Sequence, residues 1–471
     1  MKYLLFFTSL VSFSLFASIN DAPPSFSYQN DKAIFIDFET ANYEITYDLS
    51  TKTAEVYSVI EFESLSEGFP IFDLVQEPTE VVLDGKLIQT ESILDPDNST
   101  TMRIMKEKIY PGKHELKIKN ALVTNVIYTD TGIGSGFWMS DMKDRKYLEQ
   151  YLPTNLEFDQ YQMRSIIKVK NSEGIPHALK TNGTISKISE NHFEIIYPAF
   201  YTTSSMFFHL FPEKNAINNV QFYYPSIDGR MIPVDIYTGY NVDEYVRDTK
   251  IILKELETDY GPFPHNQVII YGINLEGGME YSGATSTSLK ALGHELFHSY
   301  HARGLMPASG NSGWMDEAIA RWRDNRYPLI DKLNYESTQL AGHSPWTRKT
   351  DRMAYTEGSA FLSWIGYRMN ENGLSMKTFL RDYYQKYKYT SVTTELFNKE
   401  MSEASGLNLT PEFMKYIYGK SVDSMMKMRS TSLNETEDPF HPIYTESELR
   451  DLSILGGFLK RKNNLKTAPL K

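Results

Sequence analysis

The chain has 471 residues, with 60 acidic and 48 basic side chains, a net charge of −12 and no cysteine. That length fills two or three domain cores, and the acidic excess disfavours nucleic acid and anionic membrane surfaces as partners. Without cysteine there are no disulfides and no thiolate metal sites, so any metal must be held by His, Asp or Glu.

The chain opens "MKYLLFFTSLVSFSLFASIN", with Lys2, an apolar and hydroxyl run to Phe16, then the small residues Ala17 and Ser18. This is the order of a secretory signal peptide over residues 1–17, its apolar run shorter than the about 20 residues of a spanning helix, and the competing reading is an uncleaved anchor. Nothing later is long and apolar enough to cross a bilayer. The expectation is an exported protein, periplasmic or extracellular, with no stable membrane span once the signal is removed. Asn-x-Ser/Thr acceptor sites stand at Asn98, Asn182, Asn408 and Asn434.

Residues 18–215 read as a β-rich domain. "YEITYDL" alternates Tyr43, Ile45, Tyr47 and Leu49, and "AEVYSVIEFE" carries the same period through Val56, Ile60 and Phe62. Asp84-Gly85 between two apolar runs signals a tight hairpin. Short strands follow at "HELKIKNALV" and "HFEIIYPAF", and an antiparallel sandwich or saddle is expected. Residues 216–430 change period. From Asn241, a plausible cap with Glu244 three residues on, apolar positions recur at helical spacing to Tyr260. "GPFP" stops that helix, "QVIIYGI" reads as a buried strand, and helical segments continue to about residue 420. Residues 431–471 read as a loosely attached tail. The fold class is multidomain α+β.

The segment "HELFH" sets His294 and His298 four residues apart, about 40° of rotation on a helix, so both imidazoles leave one face. Glu295 lies beside them, where a carboxylate can take a proton from water without being a ligand. This is the division of labour of a zinc hydrolase: two neutral nitrogens hold the ion and a base activates water. A third ligand is available in "GWMDEAIARW", where Glu317 stands between apolar neighbours. A carboxylate on a buried face needs a cation or hydrogen-bond partners to stay ionised, and zinc would be that cation. The competing reading pairs Glu317 with Arg321, one turn on. Gly277 and Gly278 precede a strand and leave its backbone open to an extended peptide.

Together these motifs resemble the zinc aminopeptidases of the aminopeptidase N, or membrane alanyl aminopeptidase, type among the gluzincins. "GGMEY" is similar to that family's Gly-x-Met-Glu-Asn strand. The spacing His-Glu-x-x-His, eighteen residues, Glu matches without a gap, and "WMDEAIA" resembles "WLNEGFA". "AYTEGSAFL" looks like the family's Tyr-Glu-Lys-Gly-Ala segment and nominates Tyr355. The resemblance implies a thermolysin-like, mainly helical catalytic domain with a small sheet, and one Zn²⁺ per chain held by His294, His298 and Glu317. It also implies Glu295 as general base, Tyr355 as hydrogen-bond donor to the oxyanion, and Glu280 as anchor of the substrate's α-amino group. Three features depart from the family. Tyr281 replaces its Asn, its "FPCxDEP" segment is absent, and its long helical C-terminal domain has no counterpart here. "YLEQYLP" lies just upstream of where the absent segment would fall, and nominates Glu149 or Gln150 as a second amine contact. A more open cleft, accepting larger peptides or internal bonds, is expected.

Three readings stand at this point: a secreted aminopeptidase acting on peptides, a zinc endopeptidase or other zinc hydrolase, and a non-catalytic envelope-associated binding protein. Oligomeric state has no sequence signal.

Overall fold

The computed structural model describes residues 22–155, 159–215, 218–274 and 276–420. The expected signal segment 1–17, the expected tail 431–471 and Asn434 lie outside the described residues.

The N-terminal part is built of strands because its apolar residues keep a period of two. In Asp37–Asp48, the side chains of Tyr43, Ile45 and Tyr47 are buried, as are Val56, Ile60 and Phe62 in Thr53–Ser64. Those two strands form the centre of an eight-stranded sheet. The hairpin signal forms as read: Pro78–Leu83 turns into Lys86–Leu87, with Asp84 and Gly85 at φ 50° and 80°, the left-handed pair of a two-residue turn. A five-stranded sheet begins at Phe26–Tyr28, and a four-stranded sheet at Val126–Thr129.

The expectation of purely antiparallel sheets is corrected. Gln162–Lys170 runs parallel to Asp37–Asp48, and Asp31–Phe35 runs parallel to Phe69–Phe72. Parallel neighbours need a long crossover. The first pair has one, because the chain builds most of the other strands before it re-enters the large sheet. Period-two patterning buries the same side chains in either direction, so it does not encode this choice.

Seven helices follow among the described residues: α1 (Val242–Tyr260), α2 (Leu292–Phe297), α3 (Trp314–Asp324), α4 (Glu357–Glu371), α5 (Met376–Tyr387), α6 (Thr394–Ser405) and α7 (Thr410–Tyr416). Asn241 caps α1 by accepting from Asp243 N at 3.2 Å, and its amide meets the Glu244 carboxylate. None of the described helices is long and apolar enough to cross a membrane.

A five-stranded sheet separates the two main cores. Its order is Asn218–Pro225, Met231–Thr238, Val268–Gly272, Ala284–Thr287 and Gly278–Tyr281. Successive side chains on a strand leave opposite faces. Ile236 and Ile270 therefore join the helical core, whereas Tyr237, Ile269, Met279, Tyr281 and Ala284 join the β-rich core. The same alternation turns Gly278 and Glu280 toward the helices. Asn182 is buried, with its amide donating to Ser205 O and Ser282 O, which removes it as a surface acceptor site.

Candidate metal centre

Leu292, Leu296 and Phe297 seat α2 in the helical core, and Trp314, Ala318, Ile319 and Trp322 seat α3 beside it. Arg323 ties the two helices together by donating to Gly293 O at 3.0 Å. The faces left over carry His294 and His298 on one side and Glu317 on the other. Their ligand atoms form a small triangle: His294 Nε2 to His298 Nε2 is 3.1 Å, His294 Nε2 to Glu317 Oε2 is 3.1 Å, and His298 Nε2 to Glu317 Oε2 is 3.5 Å. All three residues are buried, and they form the one such ligand cluster among the described residues. Arg321 is not the partner of Glu317.

The outer nitrogens decide what this triangle is. His294 Nδ1 donates to Asp324 Oδ2 at 2.7 Å, and His298 Nδ1 donates to the carbonyl of His301 at 3.1 Å. Each ring then presents a lone pair at Nε2 toward the other and toward a carboxylate oxygen. Three electron-rich atoms converge with no donor between them, which is stable only around a cation or added protons. Ligand bonds of about 2.0–2.1 Å give tetrahedral edges of about 3.3 Å, so the donor set fits Zn²⁺. Burial pulls the His294 imidazolium down, but Asp324 and Glu317 outweigh it and hold the ring's pKa well above the usual histidine range. Burial pushes Glu317 up, and the two histidines overcome it to hold the carboxyl well below its usual range.

Glu295 is buried beside the triangle. Burial, together with the charges of Glu280 and Glu317 and against those of His294 and His298, pushes its carboxyl up to about 8. A divalent cation at the triangle would draw it back toward the ionised form. Gly278 makes room for this carboxylate, because a Cβ there would lie 2.7 Å from Glu295 Cδ. Gly277 has φ 91°, a backbone that favours glycine. The Tyr355 ring stacks on that of His294, with centroids 6.0 Å apart and planes 21° apart. Burial, then the charges of Glu317 and Asp141, keep its hydroxyl protonated far above its ordinary pKa. A core tyrosine beside Trp364 would be the alternative role for Tyr355, but Trp364 packs on Phe361 and Tyr416.

Glu280 faces the centre, but its Oε1 accepts from Arg303 Nη2 at 2.7 Å in a pair that is almost fully buried. Glu149 and Gln150, expected to supply a second amine contact, each meet partners within the protein. Both sit on the single 3₁₀ turn Leu148–Gln150, which packs into the β-rich half. Glu149 lies 2.7 Å from Arg348 Nη2, and the Gln150 amide donates to Tyr147 O and Trp138 O.

The acid that approaches the centre from this region is Asp141. Its Oδ2 is buried without a hydrogen-bond partner, and burial plus the charges of Glu317 and Glu280 push its carboxyl well above the usual range. The signal for it is an acid that directly follows the apolar run "GFWMS". Asp324 was also readable, since it stands seven residues after Glu317 on α3, two turns along the same face.

No protein-family profile matches the chain, and no curated protein is similar to it in sequence. Solved structures are similar in fold. Aminopeptidase A of Legionella pneumophila, in complex with aspartic acid, superposes with TM-score 0.59 at 14% identity over 82% of this chain and 50% of that one. This chain thus spans half the length of the Legionella protein. An M1 zinc metallopeptidase variant from Deinococcus radiodurans bound to a Tyr-Ser-Ala substrate gives 0.56 at 13% identity, covering 79% and 91%. A two-domain M1 zinc metallopeptidase variant bound to L-arginine gives 0.55 at 13%, covering 80% and 92%. A β-rich half, a shared sheet and a helical half around two histidines and a glutamate give this chain the fold of the M1 zinc metallopeptidases.

Proposed function

We propose that the protein is a zinc-dependent aminopeptidase that hydrolyses the first peptide bond of peptides with a free amino terminus. One observation carries the reading: two imidazole lone pairs and a carboxylate oxygen converge within 3.1–3.5 Å of one another, with Glu295 and Tyr355 beside them. The fold shared with M1 zinc metallopeptidases supports it, and the tripeptide and amino acids held by those structures are consistent with peptides as the substrate class.

His294, His298 and Glu317 would hold the zinc ion, which would supply a Lewis acid to acidify water and polarise the scissile carbonyl. Glu295 takes the proton of the attacking water and returns it to the departing amine. Tyr355 donates its hydroxyl to the carbonyl oxygen as that oxygen gains charge. The strand Gly278–Tyr281 closes the order of its sheet, so its outer edge pairs with no other strand among the described residues and can take an extended peptide backbone. Asp141 and Glu280 receive the α-ammonium group. Arg303 already engages one oxygen of Glu280, whereas Asp141 Oδ2 has no donor, and an ammonium supplies it.

The Arg303–Glu280 pair also favours a second reading, a zinc endopeptidase or other hydrolase whose substrate brings no ammonium. Digestion of one peptide beside its N-acetylated twin separates the two. The aminopeptidase reading expects cleavage of the free peptide alone, and equal cleavage of both assigns the second. Export to the periplasm or the extracellular space is proposed from residues 1–17 alone.

A further inference from the structure

Residues 325–351 connect α3 to the short 3₁₀ turn Arg352–Ala354 that leads into Tyr355, and they contain no helix or strand. So long an irregular connection inside a packed protein is uncommon, and its end is fastened to the β-rich half at successive points. Trp346, almost fully buried, inserts among Phe26, Phe35, Ile71 and Ile104 of the N-terminal five-stranded sheet. Its ring meets Phe26 edge-on at 6.0 Å, and its Nε1 donates to Pro24 O at 3.2 Å. Two residues later Arg348, equally buried, sets Nη2 2.7 Å from Glu149 Oε2 and 3.3 Å from Asp73 Oδ2, with its guanidinium over the Tyr147 ring. Arg145 completes the group at 2.6 Å from Asp73, so two guanidinium groups face two carboxylates.

The backbone of the same stretch is held by the loop that carries Asp141. Arg348 N donates to Asp144 Oδ1 at 3.0 Å, and Thr350 N donates to Asp141 O at 2.9 Å. Asp351 then caps the turn by accepting from Met353 N at 2.9 Å, and Tyr355 follows. Asp141 and Tyr355 come from opposite halves of the molecule, yet both face Glu317. A buried ion pair adds little net stability, because desolvation offsets the attraction, but separating its partners leaves buried charge uncompensated, so the segments it joins resist moving apart.

We propose that Arg348 is a positioning residue: its buried guanidinium, paired with Glu149 and Asp73, sets Tyr355 and Asp141 relative to each other. The β-rich half is then part of the hydrolytic device. This rests on the aminopeptidase reading for its kinetics but not for its structural consequence. Nη2 meets both carboxylates while Nη1 donates to Thr203 Oγ1 at 3.3 Å, so a lysine at position 348 keeps the charge and loses the planar group that holds all three partners at once. A displacement on the order of 1 Å at a hydrolytic site costs about 10- to 100-fold in rate.

The test compares Arg348→Lys in the native and Tyr355→Phe backgrounds, with zinc content and melting temperature measured on each protein. Hydrogen exchange of residues 348–355 is followed beside that of α2 and α3. Arg348→Lys is expected to lower kcat by about tenfold or more in the native background and by less than about threefold in Tyr355→Phe. Zinc content should hold, and exchange should rise in 348–355 alone. Glu149→Gln, a milder change to the same pair, should move both readouts in the same direction. Equal losses in the two backgrounds, or exchange that stays unchanged in 348–355, would overturn the proposal. If the native protein binds zinc but hydrolyses no aminoacyl substrate, the function fails, and the exchange result still decides the role of Arg348.

Discussion

Replacing Asp324 by Asn tests how the first ligand is held. The side chain keeps its size, but the carboxylate that accepts His294 Nδ1–H at 2.7 Å becomes a neutral amide. Asp324 is largely shielded from solvent, and its other oxygen accepts from Arg323 at 3.2 Å, so no water readily replaces it. Loss of such an outer carboxylate weakens metal binding about 10- to 100-fold, which is about 1.4–2.7 kcal/mol. His298 is oriented by the carbonyl of His301 and Glu317 is untouched, so binding weakens without vanishing. The assay is competition for zinc against a chromophoric chelator across pH. Asp324 also stabilises the protonated ring, whose pKa it helps hold well above the ordinary value, and that proton competes with the metal. The native protein therefore meets proton competition at higher pH than the variant does, and the gap between the two affinities narrows as pH falls. Equal zinc affinity of the two proteins at pH 8 would refute the reasoning that Asp324 orients His294.

Four other outcomes are expected. Glu295→Gln keeps its zinc while kcat drops by about 10²- to 10⁴-fold; a fully active variant removes Glu295 from the role of base. Gly278→Ala brings a Cβ to 2.7 Å from Glu295 Cδ, so activity falls while zinc content holds, and an unchanged kcat would show that the carboxylate has room to shift. Asp141→Asn raises KM for aminoacyl substrates by about tenfold or more; unchanged KM would leave the ammonium to Glu280. Burial holds the His265 imidazolium down at about 3, against an ordinary value near 6.5. The unfolded chain thus binds the extra proton below about pH 6.5, and stability drops with falling pH by up to about 1.4 kcal/mol per unit. Urea melts of His265→Gln should show a shallower acid slope, and an identical slope would contradict this assignment.

The parts that were legible in the sequence were local. His294 and His298 share a face because four residues make about one turn, and the turn at Asp84-Gly85 needs only its own two residues. Alternation along "GGMEY" already implied that Gly278 and Glu280 leave the strand on one side. What escaped is held by contacts between distant segments. Arg303 meets Glu280 across the helical face, and Arg348 meets Glu149 from the other half of the chain. Motif position drew attention to Glu149 and Gln150, but the 3₁₀ turn points them into the β-rich core and leaves the approach to Asp141. The parallel pairing of Gln162–Lys170 with Asp37–Asp48 was hidden for the same reason. Strand direction is set by how the intervening chain is routed, which side-chain period does not record.

The central claim is that His294, His298 and Glu317 hold one divalent ion. Calorimetric titration of the metal-free protein with Zn²⁺ tests it most directly, with Glu317→Ala run alongside. The account predicts one site per chain in the native protein, and binding weakened by on the order of 10²-fold or more in the variant. A folded native protein that takes up no zinc, or a variant that binds it as tightly, would contradict it.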